Sequence, residues 1–275
     1  MTSELLTTLA TSAVVSAIVG GLVTFLSQSR LLSRKAQLDY ELDAKRRLYQ
    51  AIGPLRLQLL LASRDVVRRF QQHHEHPWNM STDGYYVKSC IYRLLAPLAI
   101  GQLIERKMSV VDFTVDRDAI SLLRFITSAE RMLTGGEVVL DHPDVDWSTQ
   151  SQHLFRDNLR AAANELIESE DGRLITFAEF DESCTLEKNS KLKPLAHIFG
   201  KCSSSLTENS VFWARIIGYC FACSEHLNSA SADSLGFSKR PIPIGPMLQA
   251  SKDEHFVSRV DDFKRVLEET LAEGF

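Results

Sequence analysis

Two cysteines three positions apart, Cys220 and Cys223, have the spacing of a redox or metal-binding pair. A redox pair gains reactivity at a helix N-terminus, where the thiol pKa is lowered, but this pair falls late in a predicted helix. Further donors lie nearby at irregular spacings: Cys184, His197, Cys202 and His226. Because a structural zinc site usually combines two close-spaced pairs, we interpret the two thiols as buried apolar side chains. A metal site formed by Cys220, Cys223 and His226 is the alternative.

Two other clusters of ligand-type side chains fail the tests for a metal site. Residues 73–76 read His-His-Glu-His before a Pro-Trp pair, and neighbours in sequence rarely converge on one ion, so we expect a solvated loop. Counted as a calcium-binding EF-hand loop from Asp144, the chain has Thr149 instead of glycine and Phe155 instead of glutamate. The carboxylates of residues 141–146 are expected to cap the next helix, and no cofactor is predicted.

The signatures of common enzymes are absent from the sequence. Gly200-Lys201 lacks the earlier glycine and the following Ser or Thr of a phosphate-binding loop. There is no Gly-x-Ser-x-Gly turn and no Gly-x-Gly-x-x-Gly fingerprint. We therefore favour a non-enzymatic protein, with a membrane-tethered enzyme using Cys220 and Cys223 as the alternative.

Tyrosine and arginine recur on the helix predicted over residues 85–108. These residue types are enriched at protein interfaces, although they are also ordinary on helices. The candidates for a partner surface are Tyr85, Tyr86, Tyr92, Arg93 and Arg106.

The positions of these side chains depend on a series of helices, because apolar residues recur at helical spacing through most of the chain. Helices are predicted over 55–72, 85–108, 116–133, 149–168, 192–202, 207–227 and 253–272. Residues 174–180 could form a short strand or continue a loop and helix. The helix over 207–227 is the most apolar and is expected to form the core of an all-α domain.

The N-terminal stretch indicates where this domain lies. No charged side chain occurs from Leu5 to Ser29, and residues 5–28 are long enough for a transmembrane helix, which needs about 20 apolar residues. A cleaved signal peptide would carry positive charge before the apolar run, whereas the flank here holds Glu4 and no basic side chain. A buried core helix is the other alternative, since several Ser and Thr make the stretch only moderately hydrophobic. We predict a single transmembrane anchor.

Basic residues follow the predicted span and indicate its orientation. Arg30, Arg34 and Lys35 come directly after it, and residues 45–47 read Lys-Arg-Arg. Because Lys and Arg accumulate on the cytoplasmic side of a span, we predict the N-terminus outside and the domain in the cytoplasm, at the inner membrane. Arg30, Arg34 and Lys35 are expected to contact anionic lipid headgroups. Gly53-Pro54 should kink or break the helical stalk over 30–52.

Small residues recur every four positions within the span, which lets two helix backbones approach closely. One stripe contains Ala13, Ala17 and Gly21, and another contains Ser16, Gly20 and Thr24. We predict that Ala13, Ala17, Gly20 and Gly21 pack against another copy of the span. The stalk adds apolar residues near heptad positions, interrupted by Lys45 and too few for a sustained coiled coil: Leu31, Leu38, Leu42, Tyr49 and Ile52.

The composition narrows the function classes. A formal net charge of −4 argues against nucleic-acid binding, which needs a basic surface. The five cysteines do not suggest a disulfide framework and fit reduced thiols in the cytosol.

These features predict an all-α membrane protein with three parts: an anchor over 1–29, a basic stalk over 30–52 and a cytoplasmic helical domain over 53–275. The domain is expected to be an interaction, sensing or effector module that self-associates and has a cytoplasmic protein partner. A membrane effector of a bacterial stress or defence system fits the same architecture by analogy only.

Overall fold

The computed structural model describes residues 2–75, 83–148, 152–168, 172–202, 206–229 and 241–274. For residues 2–19, 23, 74, 75, 202, 207 and 229 it describes the backbone alone. Within these ranges the chain is helical and contains no strand, which confirms the all-α prediction. A single β-type bridge, between Ile167 and Leu174, occurs in the described part.

One helix, α1 (Thr2–Glu75), runs through the predicted span and stalk and into the domain. Its 74 residues correspond to a length of about 110 Å at about 1.5 Å per residue. Among the described side chains, those that precede Glu41 are all exposed, and Ala44 is the first buried one. The helix therefore projects from the domain on its N-terminal side.

Of the kink or break expected at Gly53-Pro54, the break is wrong, because α1 continues through Pro54. Proline removes one N–H donor, which leaves the carbonyl of Gln50 without its usual partner. Residue 50 is exposed, so water can bond that carbonyl. Ile52 and Leu59 are fully buried on either side of Pro54, and their packing holds the helical path. Helical structure therefore does not divide the chain at residue 53.

The remaining helices surround a core built by α2 and α7. They are α2 (Tyr85–Met108), α3 (Arg117–Thr134), α4 (Arg156–Asn164), α5 (Phe177–Ser183), α6 (Lys193–Cys202), α7 (Ser210–Ser229), α8 (Ile244–Ala250), α9 (Glu254–Val257) and α10 (Val260–Ala272), with 3₁₀ turns at Glu137–Val139 and Thr207–Asn209. Helix α7 packs against α1 and α3, and α2 packs against α1, α4 and α6.

The predicted role of the most apolar helix is confirmed, because every residue from 211 to 220 in α7 is buried. Its large polar side chains find backbone partners in other elements. The Trp213 indole donates to the carbonyl of Met247 at 2.7 Å, and the Tyr219 hydroxyl donates to that of Leu94 at 3.0 Å. These bonds fix α7 against α8 and α2.

Two predicted helices differ from the structure, and of the two alternatives for residues 174–180 the structure has loop and helix. Helix α4 is shorter than the predicted 149–168, of which 149–151 lie outside the described residues. Residues 177–183 form helix α5, which starts with a reciprocal capping box between Thr176 and Glu179. The predicted final helix is divided into α9 and α10, because Asp253 caps α9 and Arg259, with ψ of 29°, leaves the helical path before α10.

Helix α2 is long and apolar enough to cross a membrane by length and composition. However, 83% of its most apolar window is buried inside the domain, as expected for a core helix. Most side chains of the predicted span over residues 5–28 lie outside the described part, and the span stays a prediction.

Candidate functional site: an arginine cluster between two helices

Two arginines from different helices converge on one buried serine. Arg69 of α1 and Arg93 of α2 both donate to the hydroxyl oxygen of Ser89. The Arg93 guanidinium also donates to the Ser89 carbonyl at 3.2 Å. Ser89 is fully buried, and its hydroxyl oxygen accepts from both guanidinium groups, which brings the two positive charges close together.

Helical spacing brings the other members of this cluster to the same place. Residues 65, 68, 69 and 72 share one face of α1, and residues 89 and 93 share one face of α2. Asp65, Arg68 and Gln72 join Arg69 and Arg93 in lining a cavity of about 270 Å³. We call these five residues the arginine cluster. Its one carboxylate is bonded to a neighbouring arginine outside the cavity, at 3.1 Å.

Aromatic rings form one side of the arginine cluster. The Arg93 guanidinium carbon lies 5.7 Å from the centre of the Phe177 ring, within the range of a cation–π contact. Tyr85 and Tyr92 pack edge-on against the same ring, at 5.4 and 5.5 Å between centres. The Phe177 ring, packed against two tyrosines, therefore lies beside the Arg93 guanidinium.

The chemistry of the arginine cluster suits binding better than reaction. Burial lowers the pKa of Arg69, and the nearby charge of Arg93 lowers it further. Burial also raises the pKa of Cys90 to about 11, although both arginines oppose this, so the thiol stays protonated at neutral pH. The Ser89 hydroxyl already accepts from two guanidiniums. What the site offers a ligand is paired guanidinium donors, which fit a carboxylate or phosphate.

The sequence identified part of this site. Of the residues predicted for a partner surface, Arg93, Tyr85 and Tyr92 lie together around Phe177, and Tyr86 packs edge-on against Tyr85 at 5.7 Å. The partner itself stays a prediction. Arg106 lies apart and donates to Asn164 at 2.6 Å. Arg69 and Ser89 were missed. The i, i+4 spacing of a serine and an arginine on one apolar helix was the available signal, but the approach of Arg69 depends on how α1 packs.

The cysteines predicted as core residues lie in the core. Cys220 and Cys223 are fully buried and form no disulfide, and burial raises the pKa of Cys223 to about 12. His226 follows on the same helix and stacks on Phe125 at 4.0 Å. Within the described ranges, no group of three or more His, Cys, Asp or Glu side chains could hold a metal ion.

The interpretation of residues 73–76 as a solvated loop is wrong for its first member. His73 lies in α1 and is buried, with its ring edge-on to that of Trp213 at 5.7 Å. Periodicity alone missed the helix continuing to Glu75, whose side chain, like that of His74, lies outside the described part. His76 also lies outside the described residues.

His226 gives the domain a predictable pH dependence. Burial lowers the pKa of His226 from 6.5 to about 4, and the charge of Arg56 adds to this. Between these values the unfolded chain binds more protons than the folded chain, so the stability that is present above pH 6.5 is lost as the pH falls towards 4. Replacing His226→Phe keeps the stacking on Phe125 and removes this titration. We expect wild type to lose on the order of 2 kcal/mol more than the variant between pH 7 and 4, measured by urea unfolding. If the free energies of unfolding of wild type and variant changed equally between pH 7 and 4, the lowered pKa assigned to His226 would be contradicted.

The residues predicted to act at the membrane lie on the projecting part of α1. Arg30, Arg34 and Lys35 are exposed. Gly20 and Gly21 are exposed too, and a Cβ added at either position would meet no atom within 4 Å. The side chains of Ala13 and Ala17 lie outside the described part, and their packing stays a prediction.

The chain matches no family description, no curated protein and no solved structure. The arginine cluster and the exposed surface of α1 are therefore the two features on which a function can be based.

Proposed function

We propose that this chain is a single-pass membrane protein whose cytoplasmic helical domain is a non-enzymatic interaction module. Residues 5–28 form the span, with the N-terminus outside the inner membrane. The observation that supports this most is the large apolar surface that α1 leaves uncovered before the domain. Leu22, Phe25 and Leu26 are 60%, 70% and 49% exposed. Hydrocarbon covers such side chains favourably, whereas water does not.

The charges of α1 fit this placement. Arg30, Arg34 and Lys35 lie at the level of the headgroups on the side of the domain, where basic residues accumulate. The first buried residue of the domain, Ala44, follows Ser29 at the end of the anchor by 15 positions, or about 22 Å of helix. The stalk therefore holds the domain away from the bilayer surface.

The arginine cluster is proposed as the surface that binds a partner. Arg69 follows Ser29 by 40 positions along α1, which corresponds to about 60 Å. This distance places the cluster beyond the reach of lipid headgroups. Tyr85 and Tyr86 are exposed beside it and add the amphipathic rings common at interfaces. We infer that the domain binds an acidic segment of a cytoplasmic protein.

Sedimentation of the intact chain tests the anchor. After lysis without detergent, membranes are washed at alkaline pH, which removes peripheral proteins. We expect the chain to remain in the pellet and to be released by detergent. Recovery in the alkaline supernatant would overturn the proposed function.

Loss of the two paired guanidiniums should weaken binding of an acidic peptide. A hydrogen bond to a charged group is worth about 1.5–3 kcal/mol, so Arg69→Gln with Arg93→Gln is expected to reduce affinity at least about tenfold. The probe is a fluorescent hexaglutamate peptide, titrated at low salt by anisotropy. Arg265→Gln, an exposed arginine on α10, controls for the loss of one surface charge. Equal affinity of the double variant and wild type would remove the cluster as a binding surface, provided that circular dichroism shows the variant folded.

A further inference from the structure

We infer that the stalk of α1 is the contact surface of a parallel dimer of this chain. The inference rests on the proposed membrane anchor and names the partner, the orientation and the register of self-association. Leu31, Leu38 and Leu42 form its apolar stripe and are 65%, 59% and 66% exposed.

The stripe is a geometric consequence of its spacing. At 3.6 residues per turn, steps of seven and eleven residues return to within about 20° of one line along the helix. The same line continues towards the N-terminus through Gly20 and Thr24, which belong to the predicted packing stripe of the span. One face of α1 therefore presents small residues in the span and leucines in the stalk.

The domain leaves this face open. Tyr40 lies on the opposite side of α1, where its hydroxyl donates to Asp112 at 2.8 Å. Asp112 belongs to the connection after α2, so this part of the domain packs behind the stripe. The domain reaches this line at Tyr49, where the neighbouring Asp116 raises the pKa of the Tyr49 hydroxyl. The accessible stripe thus runs from Leu31 to the start of the domain at Tyr49, about two and a half heptads.

The charges beside the stripe complement each other between two copies. With Leu31 and Leu38 at heptad position d and Leu42 at a, Arg34 and Glu41 occupy g positions, while Asp39 and Arg46 occupy e positions. In a parallel dimer each g residue faces the e residue five positions later in the second copy. Both contacts are then between opposite charges: Arg34 with Asp39, and Glu41 with Arg46.

These charges are unused within one chain. In the described part of the chain, Arg34, Asp39 and Arg46 have no ion-pair partner, and Glu41 accepts only from Gln37, at 3.1 Å. On another face of the same helix, Asp43 and Arg47 pair at 3.0 Å. In the described part of α1 before residue 53, Asp43–Arg47 is the one ion pair, so the charges flanking the leucines are available to a second copy.

The proposed membrane anchor sets the relative orientation of the two stalks. Two copies inserted in one bilayer with the same topology present their stalks in parallel, and confinement raises their effective concentration. Lys35 and Lys45 occupy core positions of the heptad, which weakens the contact but restricts its register. The contact therefore depends on the membrane to bring the stalks together.

Disulfide crosslinking in membranes tests the inference with the full chain. Leu31→Cys, Leu38→Cys and Leu42→Cys are made separately in a Cys184→Ser, Cys202→Ser background and oxidised with copper phenanthroline. We expect each to give at least about five times more dimer than Gln37→Cys and Asp43→Cys, which are exposed on other faces. An antiparallel contact would crosslink at one of the three positions only, and no excess over the controls would overturn the inference.

A charge exchange separates a specific contact from random collision. Glu41→Arg places two arginines opposite each other and should reduce the Leu38→Cys crosslink several-fold. Adding Arg46→Glu restores opposite charges and should restore the crosslink, whereas an equal yield in all three proteins would contradict the register. A chain found in the membrane pellet without crosslinks would remove the dimer and keep the anchor. Crosslinks from a chain recovered in the alkaline supernatant would keep the dimer and remove the membrane anchor.

Discussion

Replacing Arg215→Met is expected to lower the midpoint of thermal unfolding by about 10 °C. Arg215 is a fully buried charged side chain in the middle of α7. It donates to the carbonyls of Leu133 and Gly135, at 3.1 and 2.6 Å, and contacts Nδ1 of His153 at 3.2 Å. These carbonyls end α3, so Arg215 satisfies a helix terminus that packs inside the domain.

The size of the expected destabilisation follows from the buried carbonyls that Arg215→Met leaves without a hydrogen-bond donor. Burial lowers the pKa of Arg215 to about 10, so it remains charged at neutral pH. Methionine fills a similar volume but donates no hydrogen bond, and each buried acceptor left alone costs about 1–3 kcal/mol. A total near 3 kcal/mol corresponds to about 10 °C for a protein of this size.

An increase in the thermal stability of Arg215→Met would also have a physical explanation. Replacing a buried ion pair by apolar side chains can stabilise a protein, because both charges are then removed from the interior. Here no carboxylate partner is removed with the arginine. The control is Arg265→Met, whose exposed ion pairs on α10 are worth less than about 1 kcal/mol. An Arg215→Met variant that unfolds at or above the wild-type temperature would contradict the role given to Arg215.

Replacing Val14→Arg together with Ile18→Arg is expected to move the chain from the membrane pellet to the soluble fraction. Each arginine at the centre of a span costs about 3 kcal/mol of insertion free energy. Two of them disfavour insertion by about 6 kcal/mol, or roughly a factor of 10⁴. The measurement is the fraction that sediments with membranes after an alkaline wash.

A matched pair of arginines outside the span controls for added charge. Leu38→Arg with Leu42→Arg adds the same charge to the stalk, about 15 Å or more beyond the span. This variant is expected to lose the dimer and stay in the membrane. Release of both variants would show that α1 is held by surface contacts, and release of neither would show that residues 5–28 are not the anchor.

The helices with strong periodicity could be predicted from the sequence, and their tertiary partners could not. Helix α7 was recognised as the core because its apolar run is long and almost uninterrupted. The same run contains Arg215, whose role depends on a helix end and a loop that approach from more than 60 positions earlier in the chain. The residues near Arg215 in the sequence therefore give no indication of these long-range contacts.

Local rules failed where packing outweighed them. The Gly53-Pro54 pair has the sequence of a helix end, yet Ile52 and Leu59 pack into the domain on both sides and α1 continues. The arginine cluster shows the same limit. Arg93 and the tyrosines stood out on one helix, whereas Arg69 joined them only through the contact between α1 and α2.

Protease protection of the intact protein in spheroplasts tests the central claim most directly. The chain carries one epitope tag before Met1 and another after Phe275. With a non-permeant protease outside, we expect rapid loss of the first tag while the second tag and the domain survive until the membrane is opened with detergent. Loss of the second tag in sealed spheroplasts, or survival of both tags with the chain recovered in the soluble fraction, would contradict a cytoplasmic domain anchored by an N-terminal span.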